Sequence, residues 1–363
     1  MVGTSRRALR VVAGPDAVTD LRTADELLSR ACRARGVAGE LVSTTSAAEF
    51  YAAVEAAVPF GEFVVVPGSL SRNFADLEVI RVDFGQREPD RSAGVRVHIR
   101  GRGLDGLRYA VDSWYFHRFH PSTTVAYGQH AQQRVEMRIP TGRGPFPVAV
   151  LIHGGYWKPW WDSDLMDAMA VDLTARGYAT CNIEYRRPSE SNWAATTSDV
   201  ESAFGSLTTT PEAHRLDLDR VVVIGHSAGG QLAVRMAADT AAAPLRPALV
   251  VSLAGVLDLR TADQRGLGDD AVSAALGGRY SPASEIHRRA SPIERLPIGV
   301  PQLVVCGLDD EPDLLEISRH YSDRARLSND RVATLESPGD HFAVIEPRSE
   351  IWQRTAEWVA GMV

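Results

Sequence analysis

Two kinds of hydrophobic pattern alternate along most of the chain. Short apolar runs rich in Val and Ile have the length and composition of buried strands, as in "ALRVVA", "EFVVVPG" and "VVVIGH". Between them, apolar residues recur every three or four positions, as in "DLRTADELLSRACRARG" and "SAAEFYAAVEAAV". This alternation of strands and helices predicts βαβ units and parallel sheets, and therefore an α/β protein.

The alternation lapses in residues 113–123, "SWYFHRFHPST", a polar and aromatic stretch that contains a proline. We interpret this stretch as a linker between two domains, residues 1–112 and 124–363. A chain of 363 residues is long enough for one large domain and one smaller one. The sequence therefore predicts two successive α/β domains.

Composition and charge limit the kinds of molecule that this protein is expected to bind. A formal net charge of -7, without long runs of like charge, argues against a protein that binds nucleic acid through phosphate neutralisation. No apolar run approaches the length of a transmembrane helix. The three cysteines, Cys32, Cys181 and Cys306, are few and odd in number, which predicts reduced thiols and a cytoplasmic protein. We expect a small-molecule partner, no nucleic acid and no membrane, and a homo-oligomer remains open.

One short motif carries the strongest chemical signal. In "VVVIGHSAGGQLAVRMAA" an apolar strand leads directly into "GHSAG", and a helical pattern follows at once. A GxSxG sequence between a strand and a helix is typical of a nucleophile elbow, with Ser227 as the nucleophile. Gly225 and Gly229 would leave room for strand and helix to approach each other. The alternative at this point is a glycine-rich turn with a capping serine.

A second glycine-rich segment lies earlier in the chain. In "LIHGGYWKPWW", residues 151–161, Gly154 and Gly155 follow a strand-like run and precede several aromatic residues. A serine nucleophile needs fixed donors for the oxyanion that forms on the attacked carbonyl, and backbone N–H groups of such a loop can supply them. We expect His153 to support this loop by hydrogen bonding.

The two motifs together carry a resemblance to a known family. "HGGYW" and "GHSAGG" resemble the α/β-hydrolase fold, within it the hormone-sensitive-lipase-like group, and most closely kynurenine formamidase. "IEYRRPSE" and "GDHFAVIE" also match, and the resemblance covers about residues 124–363. It implies an oxyanion hole at Gly154, Gly155, Tyr156 and Ala228, with donors at the last three.

The same resemblance implies the rest of a catalytic triad. His341, in the late loop "ESPGDHFAVIE", is expected to be the base. The acid comes from "QLVVCGLDDEPD", where the family's usual spacing favours Asp310 and leaves Asp309 open. His287 and His320 are expected at the surface. His117, His120 and His130 lack nearby carboxylate or cysteine ligands in the sequence, so we expect neither a metal nor a cofactor.

The aromatic residues after the glycines suggest a substrate class. Trp157 and Trp160 are expected to bind a small aromatic substrate, although plain packing is an equal alternative for Trp160 and Trp161. The sequence thus predicts a serine hydrolase that cleaves an ester or an N-formyl or aryl amide through an acyl-enzyme. The alternatives are a general carboxylesterase, a biosynthetic thioesterase or acyltransferase, and a non-catalytic binding or scaffold protein.

Residues 8–112 resemble a different family, type II 3-dehydroquinate dehydratase, which has a flavodoxin-like fold. The matching segments are "VVAGPD", "VVVPGSLSRNF" and "VHIRGRGLDGLR". However, the family's catalytic loop after the first segment is deleted, and Val66 replaces an asparagine. Only His98 and Arg108 remain of its active-site residues, so we expect an inactive domain. The alternative is a bifunctional chain.

Overall fold

The computed structural model describes residues 8–61, 63–70, 74, 77–90, 92 and 94–363. The chain divides into two compact units, Met1–Pro121 and Ser122–Val363. Each unit contains its own largely parallel sheet with helices, which confirms the predicted α/β fold class. Within the described residues, no helix combines the length and the apolar character that crossing a bilayer requires.

The first unit has a flavodoxin-like strand order. Its described elements are β1 Ala8–Ala13, α1 Leu21–Arg35, β2 Ala38–Ser43, α2 Ala47–Ala57, β3 Phe63–Val66, β4 Val79–Asp83, β5 Val95–Arg100 and α3 Gly106–Phe119. The strands are parallel and lie in the order β2-β1-β3-β4-β5. In such a sheet the crevice at the carboxyl ends of β1 and β3 is the usual place for a ligand.

Helix α3 corrects the predicted linker. The helix continues to Phe119, so residues 113–119 are helical. Its buried residues include positions three, four and seven apart, which form one apolar face: Leu107, Ala110, Val111 and Trp114. The aromatic residues that obscured the period in the sequence are therefore part of a helix face. The helix ends where Pro121 follows and where His120 N donates to Phe116 O at 2.8 Å.

The second unit carries the larger sheet. Its strands are β6 Thr123–Ala126, β7 Arg134–Arg138, β8 Phe146–Ile152, β9 Ala179–Ile183, β10 Leu216–His226, β11 Leu249–Leu253, β12 Gln302–Gly307 and β13 Val332–Ser337. Its helices are α4 Asp167–Ala175, α5 Trp193–Gly205, α6 Ala228–Thr240, α7 Leu259–Gln264, α8 Leu267–Leu276, α9 Glu285–Ala290, α10 Pro312–Leu327 and α11 Glu350–Ala360. The strand order is β13-β12-β11-β10-β8-β9-β7-β6.

The centre of this sheet explains the continuous apolar runs in the sequence. Strands β8 to β13 are parallel to one another, whereas β7 pairs antiparallel with β6 and β9. Every residue of β9, β11 and β12 is buried, as expected for central strands covered by helices on both faces. The loops after β8, β10, β12 and β13 leave from the same edge of the sheet. Those four loops carry the residues that the sequence singles out.

Candidate active site

Ser227 occupies the sharp turn between β10 and α6. Its backbone has φ 54° and ψ -120°, a strained conformation for a residue with a side chain. Ser227 N donates to Leu253 O at 2.8 Å, and Ser227 O accepts from Gly230 N at 2.9 Å. These bonds to the next strand and to the first helical turn fix the strained backbone. This is the geometry expected of a nucleophile elbow.

The flanking glycines are required by close backbone packing. A Cβ on Gly225 would lie 2.0 Å from Gly229 O. A Cβ on Gly229 would lie 2.1 Å from Ile152 O, in the neighbouring strand β8. Any side chain at either position would therefore push α6 away from the sheet, as the sequence predicts for an elbow.

Asp310 and His341 meet at the ends of β12 and β13. His341 Nδ1 is 3.1 Å from both Asp310 Oδ1 and Asp310 Oδ2. The Asp310 side chain is fully buried, whereas that of His341 is 21% exposed. Asp309 instead accepts a hydrogen bond from Gly339 N at 2.9 Å. The geometry therefore pairs His341 with Asp310 and gives Asp309 a role in the turn.

The loop after β8 lies directly against the nucleophile elbow. A Cβ on Gly154 would lie 2.7 Å from His226 O and 2.9 Å from Ser227 Cβ. Gly155 has φ 112° and is covered by Trp161, whose Cγ would be 2.3 Å from an added Cβ. Only glycine fits at either position.

Three backbone amides in this region have no acceptor in the described structure. Among the hydrogen bonds formed by the described residues, none is donated by the backbone N–H of Gly155, Tyr156 or Ala228. Ala228 is the first residue of α6, where the helix dipole also favours negative charge. These amides are the ones that the family resemblance implies for an oxyanion hole.

A buried ionic network supports this loop from below. His153 Nδ1 donates to Gly154 O at 2.8 Å, the hydrogen bond expected from the sequence. The ring of His153 stacks on Tyr185 at 4.5 Å, and Tyr185 Oη donates to His153 O at 3.0 Å. Arg187 Nη2 lies 2.6 Å from Glu184 Oε1, and both side chains are buried. Burial acts to raise the pKa of Glu184, but the Arg187 charge and the His153 ring, whose Nε2 lies 3.5 Å from Glu184 Oε1, outweigh it and hold that pKa well below its usual range.

His226 is a site residue that sequence reasoning missed. Its Nε2 donates to the backbone oxygen of His341 at 2.9 Å, so it ties the base-bearing loop to the elbow. Burial, followed by the nearby charge of His341, holds the pKa of His226 well below 6.5. The ring is therefore neutral, and its position inside "GHSAG" was the only available signal. His287, expected at the surface, is buried and stacks on Tyr280 at 5.3 Å.

The structure does not place all the aromatic residues where the sequence predicts a substrate contact. Trp157 is 2% exposed and donates from Nε1 to Gln231 Oε1 at 3.1 Å, which makes it a core residue. It therefore does not form an open wall for a substrate. Trp160 is half-buried, with Lys158 Nζ 5.5 Å from its ring centre. Phe342, which sequence reasoning missed, is 39% exposed and lies edge-on to His341 at 5.6 Å.

The first unit has a cavity of its own at the carboxyl ends of β1, β3 and β4. Its volume is about 390 Å³, and Asp16, Val66, Ser69, Asp83 and Arg87 are among its lining residues. His98 Nε2 lies 2.7 Å from Asp83 Oδ2, and His98 Nδ1 accepts from Asp90 N at 2.9 Å. Both ring nitrogens of His98 are thus occupied. Arg108, the other residue expected to persist, lies over the ring of Tyr109 at 4.4 Å.

Comparison with known proteins identifies the fold of the second unit. A family model described as BD-FAE matches residues 137–312, which include Ser227 and Asp310. Solved structures of the same fold include esterase B from Lactobacillus Rhamnosis (HN001), with a TM-score of 0.57 and 19% identity, covering 66% of this chain and 84% of that one. A bacterial heroin esterase aligns with a TM-score of 0.55 and 22% identity, covering 67% and 84%. The second unit has the α/β-hydrolase fold.

A curated relative adds sequence similarity to this likeness in fold. Esterase LipC of Mycobacterium tuberculosis (strain ATCC 25618 / H37Rv) is 28% identical over 243 residues, which cover 62% of this chain. The match spans 59% of the length of that esterase. The family match and this relative agree with the α/β-hydrolase fold of the second unit.

Proposed function

We propose that this chain is a serine esterase that works through an acyl-enzyme, with Ser227, His341 and Asp310 as its triad. The observation that carries the proposal is the contact of His341 Nδ1 with both Asp310 oxygens at 3.1 Å. This histidine–aspartate pair lies beside Ser227 at the elbow and beside the loop after β8, whose backbone amides at Gly155 and Tyr156 have no described acceptor. Nucleophile, base and oxyanion donors are the components that acyl transfer requires.

The proposed reaction has two steps, acylation of the serine and hydrolysis of the acyl-enzyme, and both use the same residues. Ser227 Oγ attacks the carbonyl carbon while His341 Nε2 takes the hydroxyl proton, and Asp310 stabilises the resulting imidazolium. The N–H groups of Tyr156 and Ala228, with that of Gly155, donate to the oxyanion. The tetrahedral intermediate expels an alkoxide, which takes the proton from His341. Water then attacks the acyl-enzyme carbonyl while His341 takes its proton. The proton passes to Ser227 Oγ as the carboxylic acid leaves.

The finer proposal is a small substrate with an aromatic group, either an aryl ester or an N-formyl aryl amide. Phe342 supports it, because this half-exposed ring lies beside the proposed base. Trp160 is the second candidate for contact with the substrate, whereas the buried Trp157 is not. Aromatic side chains next to the reacting centre favour planar substrates by stacking. A thioesterase or acyltransferase would use the same residues.

The test combines labelling of the serine with a substrate panel. Wild type, Ser227→Ala and Ser252→Ala are treated with a fluorophosphonate and assayed on p-nitrophenyl esters and on N-formylkynurenine. Ser252 is a matched control, because it is a buried serine in β11 whose Oγ has no hydrogen-bond partner among the described residues.

We expect an adduct and ester turnover in wild type and Ser252→Ala, and neither in Ser227→Ala. Folded wild type that forms no adduct and cleaves no ester would overturn the proposal and favour a scaffold protein. A ratio of aryl formamide to ester turnover far above one would favour the formamidase alternative.

For the first unit we propose a domain without dehydratase activity. The proposal is supported by His98, whose two ring nitrogens are held by Asp83 and by the backbone of Asp90. No conjugated enone should form from 3-dehydroquinate when absorbance is followed with the full chain. Enone formation that disappears in His98→Gln would overturn this proposal.

For the location we propose a reducing compartment, the cytoplasm. The three cysteines support it, because all are free and buried. Burial raises the pKa of Cys181 to about 12, so its thiol is kept protonated and unreactive.

A further inference from the structure

A left-handed turn precedes and enters helix α8. Gly266, Gly268, Asp269 and Asp270 have φ of 64°, 62°, 56° and 58°. Asp270 N donates to Gly266 O at 3.2 Å, which closes the turn. Left-handed backbone is unfavourable for residues with side chains, so two consecutive aspartates in it mark a strained turn.

The ring of Tyr156 packs against this turn. A Cβ on Gly268 would lie 2.6 Å from Tyr156 Cγ and within 2.8 Å of both Cδ atoms, so the ring lies flat on the Gly268 backbone. Burial, the largest influence, raises the pKa of Tyr156 to about 12, in keeping with a packed ring. On the same face, Lys158 Nζ lies 3.3 Å from Asp269 Oδ2. The turn therefore covers the loop after β8.

Tyr156 is itself left-handed, with φ 51°, and Trp157 follows with φ 57°. Trp157 is held in the core by Gln231, but no described hydrogen bond fixes the Tyr156 amide. The ring packs against the apolar core of the second unit, and its contact with Gly268 restrains Tyr156 at the point where the ring joins its backbone. Because the contact falls on Cγ, two bonds from Cα, a group that pushes the ring away also pushes on Cα of Tyr156 and on its N–H.

We infer that Gly268 is a positioning residue for the oxyanion hole, because it holds the Tyr156 ring and thereby aims the Tyr156 N–H at the developing oxyanion. This inference rests on the proposed esterase function. Oxyanion donors act only within a narrow range of distances, so a small displacement of one amide weakens transition-state binding more than substrate binding.

The test compares Gly268→Ala with Gly277→Ala, at the other end of α8. Gly277 also has positive φ, 79°, but a Cβ there would meet nothing within 4 Å. Both variants therefore carry backbone strain, and only Gly268→Ala displaces the Tyr156 ring. With a p-nitrophenyl ester we expect Gly268→Ala to lose about tenfold or more in kcat with KM within about twofold, in line with partial loss of one oxyanion donor. Gly277→Ala should keep kcat within about twofold.

A second measurement separates positioning from general damage. An arylboronic acid forms a tetrahedral adduct with the serine, so its affinity should fall by the same factor as kcat in Gly268→Ala. In a Tyr156→Ala background, which also removes the clash and guards against a variant that does not fold, Gly268→Ala should lower kcat no more than Gly277→Ala does.

Equal kcat for Gly268→Ala and Gly277→Ala would overturn the inference, as would an undiminished effect of Gly268→Ala without the Tyr156 ring. Fluorophosphonate labelling distinguishes this failure from that of the proposed function. If wild type and Gly277→Ala are labelled and active, only the inference is at stake; if wild type is not labelled, the esterase proposal has failed and the inference with it.

Discussion

Both units bring a histidine–aspartate pair to the carboxyl end of a parallel sheet, but the two histidines differ in what remains free. In the first unit His98 contacts Asp83 at 2.7 Å through Nε2, and its Nδ1 accepts from Asp90 N. In the second unit His341 uses Nδ1 for Asp310, and no described residue hydrogen-bonds to its Nε2. A general base needs a ring nitrogen that can take a proton, so only the second pair is suited to catalysis.

The two units also differ in which residues have a strained backbone. In the described part of the first unit, every residue with positive φ is a glycine. In the second unit Tyr156, Trp157 and Ser227 are left-handed despite their side chains. Such strain persists only where surrounding structure enforces it, and it concentrates at functional sites. The comparison teaches that a paired histidine is a stronger candidate for a catalytic base where strained backbone lies beside it.

The largest expected effect is the difference in kcat between variants of the two histidines. His341→Ala should lower kcat on a p-nitrophenyl ester by about 10⁴-fold to 10⁶-fold, because the proposed base is lost. His98→Gln should leave kcat within about twofold, since Gln can keep a hydrogen bond to Asp83. Steady-state kinetics with both variants checks this. A comparable loss in the two variants would mean that the first unit contributes to catalysis.

The neighbouring aspartates give the next comparison. Asp310→Asn should lower kcat by about 10³-fold or more, since the amide cannot stabilise the imidazolium and favours the wrong tautomer of His341. Asp309→Asn removes only the charge from the bond to Gly339 N and should cost about 1 kcal/mol of unfolding free energy, with little change in kcat. Kinetics and urea unfolding measure the two effects. If Asp309→Asn were the inactive variant, the assignment of the acid would have to be exchanged.

The sequence predicted the features that depend on local signals. The strand–"GHSAG"–helix succession and the glycine pair of "HGGYW" were sufficient for the fold and for the elbow at Ser227, because tight turns restrict the residues that fit. The His341–Asp310 pair required the family resemblance, since the two residues come from separate loops. The contact between Gly268 and Tyr156 gave no sequence signal, because it joins segments that only the tertiary fold brings together.

Two sequence-based predictions were wrong because the residues involved occur in more than one structural setting. The predicted linker, residues 113–123, proved helical as far as Phe119; the error arose because its aromatic residues hid the helical period that continues to Trp114. Trp157 was expected at the substrate, but its indole N–H is satisfied by the buried Gln231. Sequence cannot distinguish a tryptophan that faces a cleft from one that faces the core, since both environments favour the same residue.

Buried ion pairs give a third comparison. Glu184→Gln removes the nearest partner of the buried Arg187 charge and leaves it only Asp162 among the described carboxylates, at 3.3 Å, so it should cost about 3 kcal/mol of unfolding free energy. Because the network supports the loop of Gly154, we also expect kcat to fall by about tenfold. Asp83→Asn similarly breaks its pairs with Arg81 and His98, but it should leave kcat unchanged. Urea unfolding and ester kinetics on both variants test this; unchanged kcat in Glu184→Gln would separate the network from the oxyanion loop.

The smallest effect is a difference in acid sensitivity. His226 is held neutral with its pKa well below 6.5, so the unfolded chain binds the extra proton below that pH. The stability of the second unit should therefore be full above pH 6.5 and fall as the pH decreases, by at most about 1.4 kcal/mol per pH unit from this group. For Asp83, burial acts to raise the pKa, but its bonds with His98 and Arg81 lower it below 3.8, so its contribution should be lost only below about that pH.

Tryptophan fluorescence can follow the second unit alone, since Trp114 is the single tryptophan before residue 122 and Trp114→Phe removes it. In that background His226→Gln, which keeps a donor for His341 O, should flatten the dependence of the urea midpoint on pH between 6.5 and 5. The steeper midpoint curve of the parent would then be due to one buried ring. An unchanged curve in His226→Gln would assign the acid sensitivity to other groups and remove this difference between the units.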